Sequence, residues 1–290
     1  MDTSIQRDRQ TARPRGSRRL GQRRLLLIVL VIAIWAFYLF PLVWLVMMSL
    51  KTQVDMFAVP PLFVFTPTLE HYRSTLGNAD FLAAARNSFI VMVVSVIASL
   101  ILGSLAGYSL ARHRTRYSEP LAMGLIVGRM IPPIVFIVPL FLLFDRLELR
   151  NTYLGLILVY TAFNLPFAIW MLRSFFEAVP VDLELAAMID GASRLRAFWT
   201  VTLPLAAAGF AATAVFVAIA AWSEFLFALV LTGPETGTLP VYLAAFVSDR
   251  VVDWGGVAST GVLVILPLVV LGMLVQRNLI QGLTMGAMKG

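Results

Sequence analysis

The chain alternates long apolar runs with shorter polar ones, and the apolar runs carry most of the fold. They cover about 25–50, 88–110, 121–144, 153–172, 203–231 and 257–275. Each is near the 20 or so residues that carry a helix across a ~30 Å hydrocarbon core. A seventh stretch, 173–202, is long enough to span but is amphipathic, which predicts short helices lying along the membrane surface. Prolines stand inside spans one, three, four and six, with Pro132, Pro133 and Pro139 together in span three. Such helices need neighbours to satisfy the carbonyls that proline frees, so they predict a bundle. The pattern is that of an all-α membrane protein with six transmembrane helices and a projecting helical hairpin between spans four and five.

Composition agrees: 59% of the 290 residues are hydrophobic and 13% are charged, too little charge for a water-soluble surface of this size. There are no cysteines, which excludes disulfides, thiolate metal sites and thiol nucleophiles. His71 and His113 have no ligand partners at metal spacing and read as polar loop residues.

The charge of +7 is unevenly placed, with eight arginines in the first 24 residues, directly before an apolar run. That run is too long for a signal-peptide core and has no cleavage site after it. With the N-terminus inside, cytoplasmic segments hold 16 Lys and Arg against 6 outside, while acidic residues split 7 and 8. A bias confined to the basic residues places both termini in the cytoplasm of a multi-pass protein. It also suits anionic lipid better than nucleic acid. Three divisions follow: a basic tail over 1–24, a transmembrane domain over 25–277 and a cytoplasmic tail over 278–290.

The loop 179–204 is the most informative part of the chain. Pro180 and Asp182 signal a helix start, with Asp182 able to cap. Ala186, Ala187 and Asp190 fall on one face, where alanines admit a close surface. Gly191 supplies the left-handed turn that ends a helix. Ser193 can cap a second helix, in which Leu195, Phe198, Trp199 and Thr202 form a stripe. These features fit a hairpin projecting toward a partner, and they equally fit one that merely ties two spans together.

With Ala186, Ala187, Asp190, Gly191, Ala192, Phe198, Leu203 and Pro204 in place, this loop resembles the "EAA" loop of permease subunits in ATP-binding-cassette importers. Leu185 stands where the family has glutamate, and the nearest acid, Glu184, lies one residue early, turned by about 100° on a helix. Further segments resemble the maltose-type, carbohydrate-uptake branch: Asn87-Ser88, 106–112, 130–133, 222–228 (with Ser223 where asparagine is common), 253–255 and 282–290. The resemblance spans roughly 25–290. It implies a permease subunit in the inner membrane of a prokaryote, forming half of a sugar pathway. A second homologous permease, an ATPase dimer and an extracytoplasmic sugar-binding protein are its implied partners, besides the bilayer.

No phosphate-binding loop occurs in the chain, so it is not expected to be an enzyme. By resemblance, ATP and Mg²⁺ are held by the partner ATPase. The implied ATPase-coupling residues, within a hairpin at 182–200, are Glu184, Leu185, Ala186, Ala187, Asp190, Gly191 and Arg194. Met285, Gly286 and Lys289 are implied as a C-terminal ATPase contact. For the substrate pathway the candidates are Asn164, Trp222, Ser223 and Phe227, by the need for aromatic faces and hydrogen-bonding groups.

Arg129 and Glu224 lie within spans, each ~12 Å from its own surface. They are expected to face the interior or a cavity, and to pair or share a polar network. The same machinery importing a polyol, glycerol phosphate or another small solute remains an alternative. An ion-coupled secondary transporter is a distant one, since it should show midplane carboxylates and inverted repeats, and one glutamate and no repeat argue against it.

Overall fold

A computed structural model describes residues 16–113, 115–246 and 253–287. The elements are α1 Gly16–Ser49, α2 Gln53–Met56, α3 Glu70–Gly77, α4 Ala79–Arg112, α5 Ser118–Arg129, a 3₁₀ turn Pro133–Phe136, and α6 Ile137–Arg146. There follow α7 Tyr153–Ala178, α8 Val181–Ile189, α9 Arg194–Ala197, a π-helical turn Phe198–Thr202, α10 Leu203–Leu205, α11 Ala207–Trp222, α12 Leu226–Leu231, α13 Leu239–Ala244 and α14 Trp254–Ala287.

Four helices are long and apolar enough to cross a membrane unbroken, and two bent pairs bring the number to six. Span three is one of these pairs: α5 and the segment 133–146 meet at 86°. Pro132 and Pro133 cause the bend, because neither can donate into a helical ladder. The other pair, Arg194–Leu205 and Ala207–Trp222, meets at 78°.

Several predicted boundaries move. α4 begins nine residues before 88, because the Asn78 side chain accepts hydrogen bonds from the N–H groups of Asp80 and Phe81 and starts the helix there. α7 continues past 172 to Ala178. Arg173 therefore belongs to the span rather than to the surface stretch, its charge met by Glu119 and Glu177. The fifth span is interrupted at 223–225. α14 runs on through most of the expected tail.

α4 and α7 form the spine. Their crossing is close because Gly103 and Gly107, one turn apart, face α7; a Cβ on Gly107 would sit 3.0 Å from the Ile169 carbonyl oxygen and 3.1 Å from the Arg173 nitrogen. At one end of the spine Leu100, Leu172, Phe176, Phe198 and Ala206 form a buried cluster under the hairpin. Toward the other end, Asn87 donates to the carbonyls of Glu235 and Gly237 and accepts from Tyr153, while Ser88 accepts from the Leu239 N–H. The Asn87-Ser88 pair thus fixes the segment leading into α13. α1 keeps an apolar surface that this chain does not cover.

Candidate functional site: the hairpin and the interrupted spans

The hairpin forms as its local chemistry requires. α8 starts at Val181 with Pro180 in the cap position, two residues before the expected cap Asp182, which lies inside the first turn. Gly191, at φ +93°, closes α8. The Ser193 hydroxyl then accepts from the Arg196 N–H at 3.3 Å and opens α9. Pro204 cannot donate to the Thr200 carbonyl, and the preceding turn widens into a π-helix. The predicted stripe divides: Phe198 and Thr202 are buried, whereas Leu195 and Trp199 are exposed. Phe198 is wedged between Tyr108 and Phe176, with ring centroids at 4.8 and 5.7 Å.

Glu184 faces inward and is buried. Its Oε1 accepts from Arg112 Nε at 2.8 Å, Arg112 Nη2 at 2.6 Å and the Thr202 hydroxyl at 2.5 Å. Its Oε2 accepts from the Tyr108 hydroxyl at 2.9 Å. Arg112 also donates to the Val179 carbonyl at 3.1 Å. Burial alone would raise the Glu184 pKa, but the hydrogen bonds from Arg112, Thr202 and Tyr108 outweigh it and hold the carboxyl below its usual value. One carboxylate therefore joins the end of α4, the start of α8 and the π turn.

The other implied coupling residues point away from this knot. Leu185, Ala186, Asp190, Gly191 and Arg194 are exposed and Ala187 is half-buried. Arg194 reaches His113, with Nη1 3.2 Å from Nε2. Val181, Leu185 and Ile189, spaced by four, form one outward apolar stripe at 47%, 48% and 86% exposure. Met285 and Gly286 continue α14, and Lys289 lies outside the described residues. Sequence reasoning missed Tyr108, Arg112 and Thr202; the available signal was a lone acid on α8 and a basic residue ending span two.

The intramembrane charges do not pair with one another. Arg129 ends α5, and its guanidinium lies 5.1 Å from the centroid of the Phe167 ring. Glu224 instead accepts from the N–H groups of Phe227 (2.9 Å) and Ala228 (3.1 Å), satisfying orphan donors at the start of α12. The two span interruptions nevertheless stand at one level. Phe136, just after the first, meets Phe163 of α7 at 5.4 Å, and Phe163 meets Phe227, just after the second, at 4.4 Å.

Three substrate-pathway candidates are committed to internal contacts. Asn164 donates to the Tyr160 carbonyl, Trp222 donates to the Val264 carbonyl, and Phe227 is buried against Phe163. Ser223 is exposed, although its hydroxyl donates to the Ile219 carbonyl. The sequence could mark these residues as aromatic or polar but not which way they face.

Residues 99–285 match the family described as binding-protein-dependent transport system inner membrane component. The chain is 40% identical over 252 residues to a probable ABC transporter permease protein of Sinorhizobium fredii, covering 87% of this chain and 91% of that one. It is 36% identical over 279 residues to the trehalose/maltose transport system permease protein of Thermococcus litoralis, covering 92% and 98%. A chain of a bacterial ABC transporter involved in import of the acidic polysaccharide alginate shares the fold, with a TM-score of 0.75 at 24% identity, over 92% and 99% of the two chains.

Proposed function

The chain belongs to the family of inner-membrane components of binding-protein-dependent transport systems, and we propose that it is half of the translocation pathway of a sugar importer, driven by a separate ATPase through its 181–205 hairpin. It is a multi-pass permease subunit without catalytic machinery of its own. The sugar reading is supported by relatives such as the trehalose/maltose permease protein, similar along nearly their whole length.

The observation that carries the coupling reading is the Glu184 knot. It welds the inner face of α8 to the last turn of α4 and leaves the outer face of α8 free. A force applied to the outer face by an ATPase would reach span two without being lost in a loose loop. Such rigid-body rocking alternates access in transporters. ATP and Mg²⁺ would be held by that ATPase. A second homologous permease would complete the pathway, an extracytoplasmic sugar-binding protein would deliver the solute, and both termini would lie in the cytoplasm.

Gly191→Trp tests this reading. No neighbour lies within 4 Å of a Cβ at Gly191, but its φ of +93° suits only glycine, so the change deforms the turn and puts an indole on the docking side. In a strain lacking the gene, wild type should restore uptake of one sugar from a labelled panel, and the variant at equal expression should not. Normal uptake by the variant would overturn the lever; wild type restoring no sugar would overturn the sugar assignment.

A further inference from the structure

The level of the two span interruptions holds a feature that the lever does not use. Non-helical backbone at membrane depth survives only where protein buries it or a water-filled cavity meets it. Yet residues 129–135 are all exposed on this subunit, beside the 86° bend. This face is therefore turned to the pathway or to the companion permease rather than to lipid. Arg129 stands at its edge, roughly 16 Å along α5 from Ser118 and too deep to reach the headgroups comfortably.

The guanidinium of Arg129 rests on Phe167, and among the described residues no carboxylate lies within ion-pairing distance of it. The other charge at this depth, Glu224, is occupied in capping α12. From Phe167 a groove of about 270 Å³ runs between α5 and α7, past Trp170, to the paired Arg173 and Glu119. Arg129 does not line this groove but sits on Phe167, which does, so an aromatic-walled groove and an uncompensated guanidinium meet at one ring. Together they have the elements of a saccharide subsite: ring faces for the sugar and a planar donor fork for an acid group.

We propose that Arg129, seated on Phe167, is a solute-contact residue of this subunit and receives the carboxylate or sulfonate of an acidic saccharide. This rests on the importer reading and narrows its substrate class. Neutral hydroxyls would leave the guanidinium charge uncompensated at membrane depth, whereas an oxyacid meets two of its donors at once. The Phe167 ring beneath gives the guanidinium a cation–π seat.

The test uses the whole importer in proteoliposomes, with both permeases, the ATPase and the binding protein. Uptake of a uronic-acid disaccharide is compared with that of its neutral counterpart, and binding-protein affinities are measured separately. Arg129→Gln should raise the transport KM for the acidic sugar at least tenfold and change that for the neutral sugar little. Arg129→Lys, which keeps the charge but not the fork, should fall between. An unchanged KM for the acidic sugar in Arg129→Gln overturns the proposal, as does wild type preferring the neutral sugar. Loss of the second permease on purification of Arg129→Gln would assign the arginine to a subunit contact instead, again overturning it. Wild type transporting neither sugar would fail the importer reading itself.

Discussion

Arg112, the last residue of α4, places both Nε and Nη2 on a single oxygen of Glu184, 72 residues further along the chain, at 2.8 and 2.6 Å. Both side chains are almost enclosed, at 8% and 6% exposure. Removing one partner of such a pair strands the other charge, which typically costs about 3–5 kcal/mol. Removing both in favour of apolar groups can cost little.

Glu184→Ala should therefore lower the stability of the purified subunit by about that amount, and Glu184→Gln by less, since the amide oxygen can still accept from Arg112 and Thr202 while its NH2 donates to the Tyr108 hydroxyl. A Glu184→Leu, Arg112→Leu double variant should melt near wild type. If the pair also transmits force, the double variant should still import more slowly at equal expression. Thermal unfolding in detergent beside uptake in cells separates the two effects. A Glu184→Ala variant that melts like wild type would remove the knot from the account.

The same carboxyl sets a pH dependence. Its pKa is held down in the folded state from an ordinary value of 4.5. A depressed carboxyl contributes stability that is complete above its unfolded pKa and is lost as pH falls through the folded one. The difference in melting temperature between wild type and Glu184→Gln should therefore be constant from about pH 8 to about pH 5 and should close below that. A gap that instead narrows between pH 7 and 5 would mean that the folded pKa is raised.

Two glycines on spans that pack against α7 should behave oppositely. A Cβ at Gly107 meets backbone atoms of α7 at 3.0 and 3.1 Å, and backbone cannot swing aside. Gly107→Ala should push α4 and α7 apart and cost about 1–3 kcal/mol. Gly128 of α5 has nothing within 4 Å of a Cβ, so Gly128→Ala should be neutral or gain up to about 1 kcal/mol from helix propensity. Melting temperatures of the two variants should fall on opposite sides of wild type.

The spans were legible because twenty apolar residues have few other uses, but their ends were not. A capping asparagine set the start of α4 nine residues early, and Arg173 failed to end α7 because Glu119 and Glu177 on neighbouring turns and helices meet its charge. In the hairpin, Gly191 and Ser193 could be read directly, since a positive φ and a helix cap are local requirements. The role of Glu184 could not, because its partners Tyr108 and Arg112 are brought to it only by the packing of α4 beneath the hairpin. Likewise, Arg129 and Glu224 have similar depths, but a free helix N-terminus three residues away claims the glutamate first.

Leu185 makes a last case, because the glutamate it replaces and the glutamate beside it have different surroundings. Glu184 is turned into the knot, so it cannot also meet a partner across the outer face of the hairpin. Leu185 is half-exposed in line with Val181 and Ile189, and an ATPase cleft that accepts this stripe must itself be apolar there. Leu185→Glu should leave the melting of the isolated subunit within about 0.5 kcal/mol of wild type, as surface changes usually do. Against its own ATPase it should lose about tenfold in affinity, or about 1.4 kcal/mol, because the new carboxylate is desolvated without a partner. Titration of the purified ATPase against the permease pair in nanodiscs reads this directly. Tighter binding by Leu185→Glu would mean that the cleft keeps a cation for the family's glutamate, and that Leu185 weakens a contact it was expected to serve.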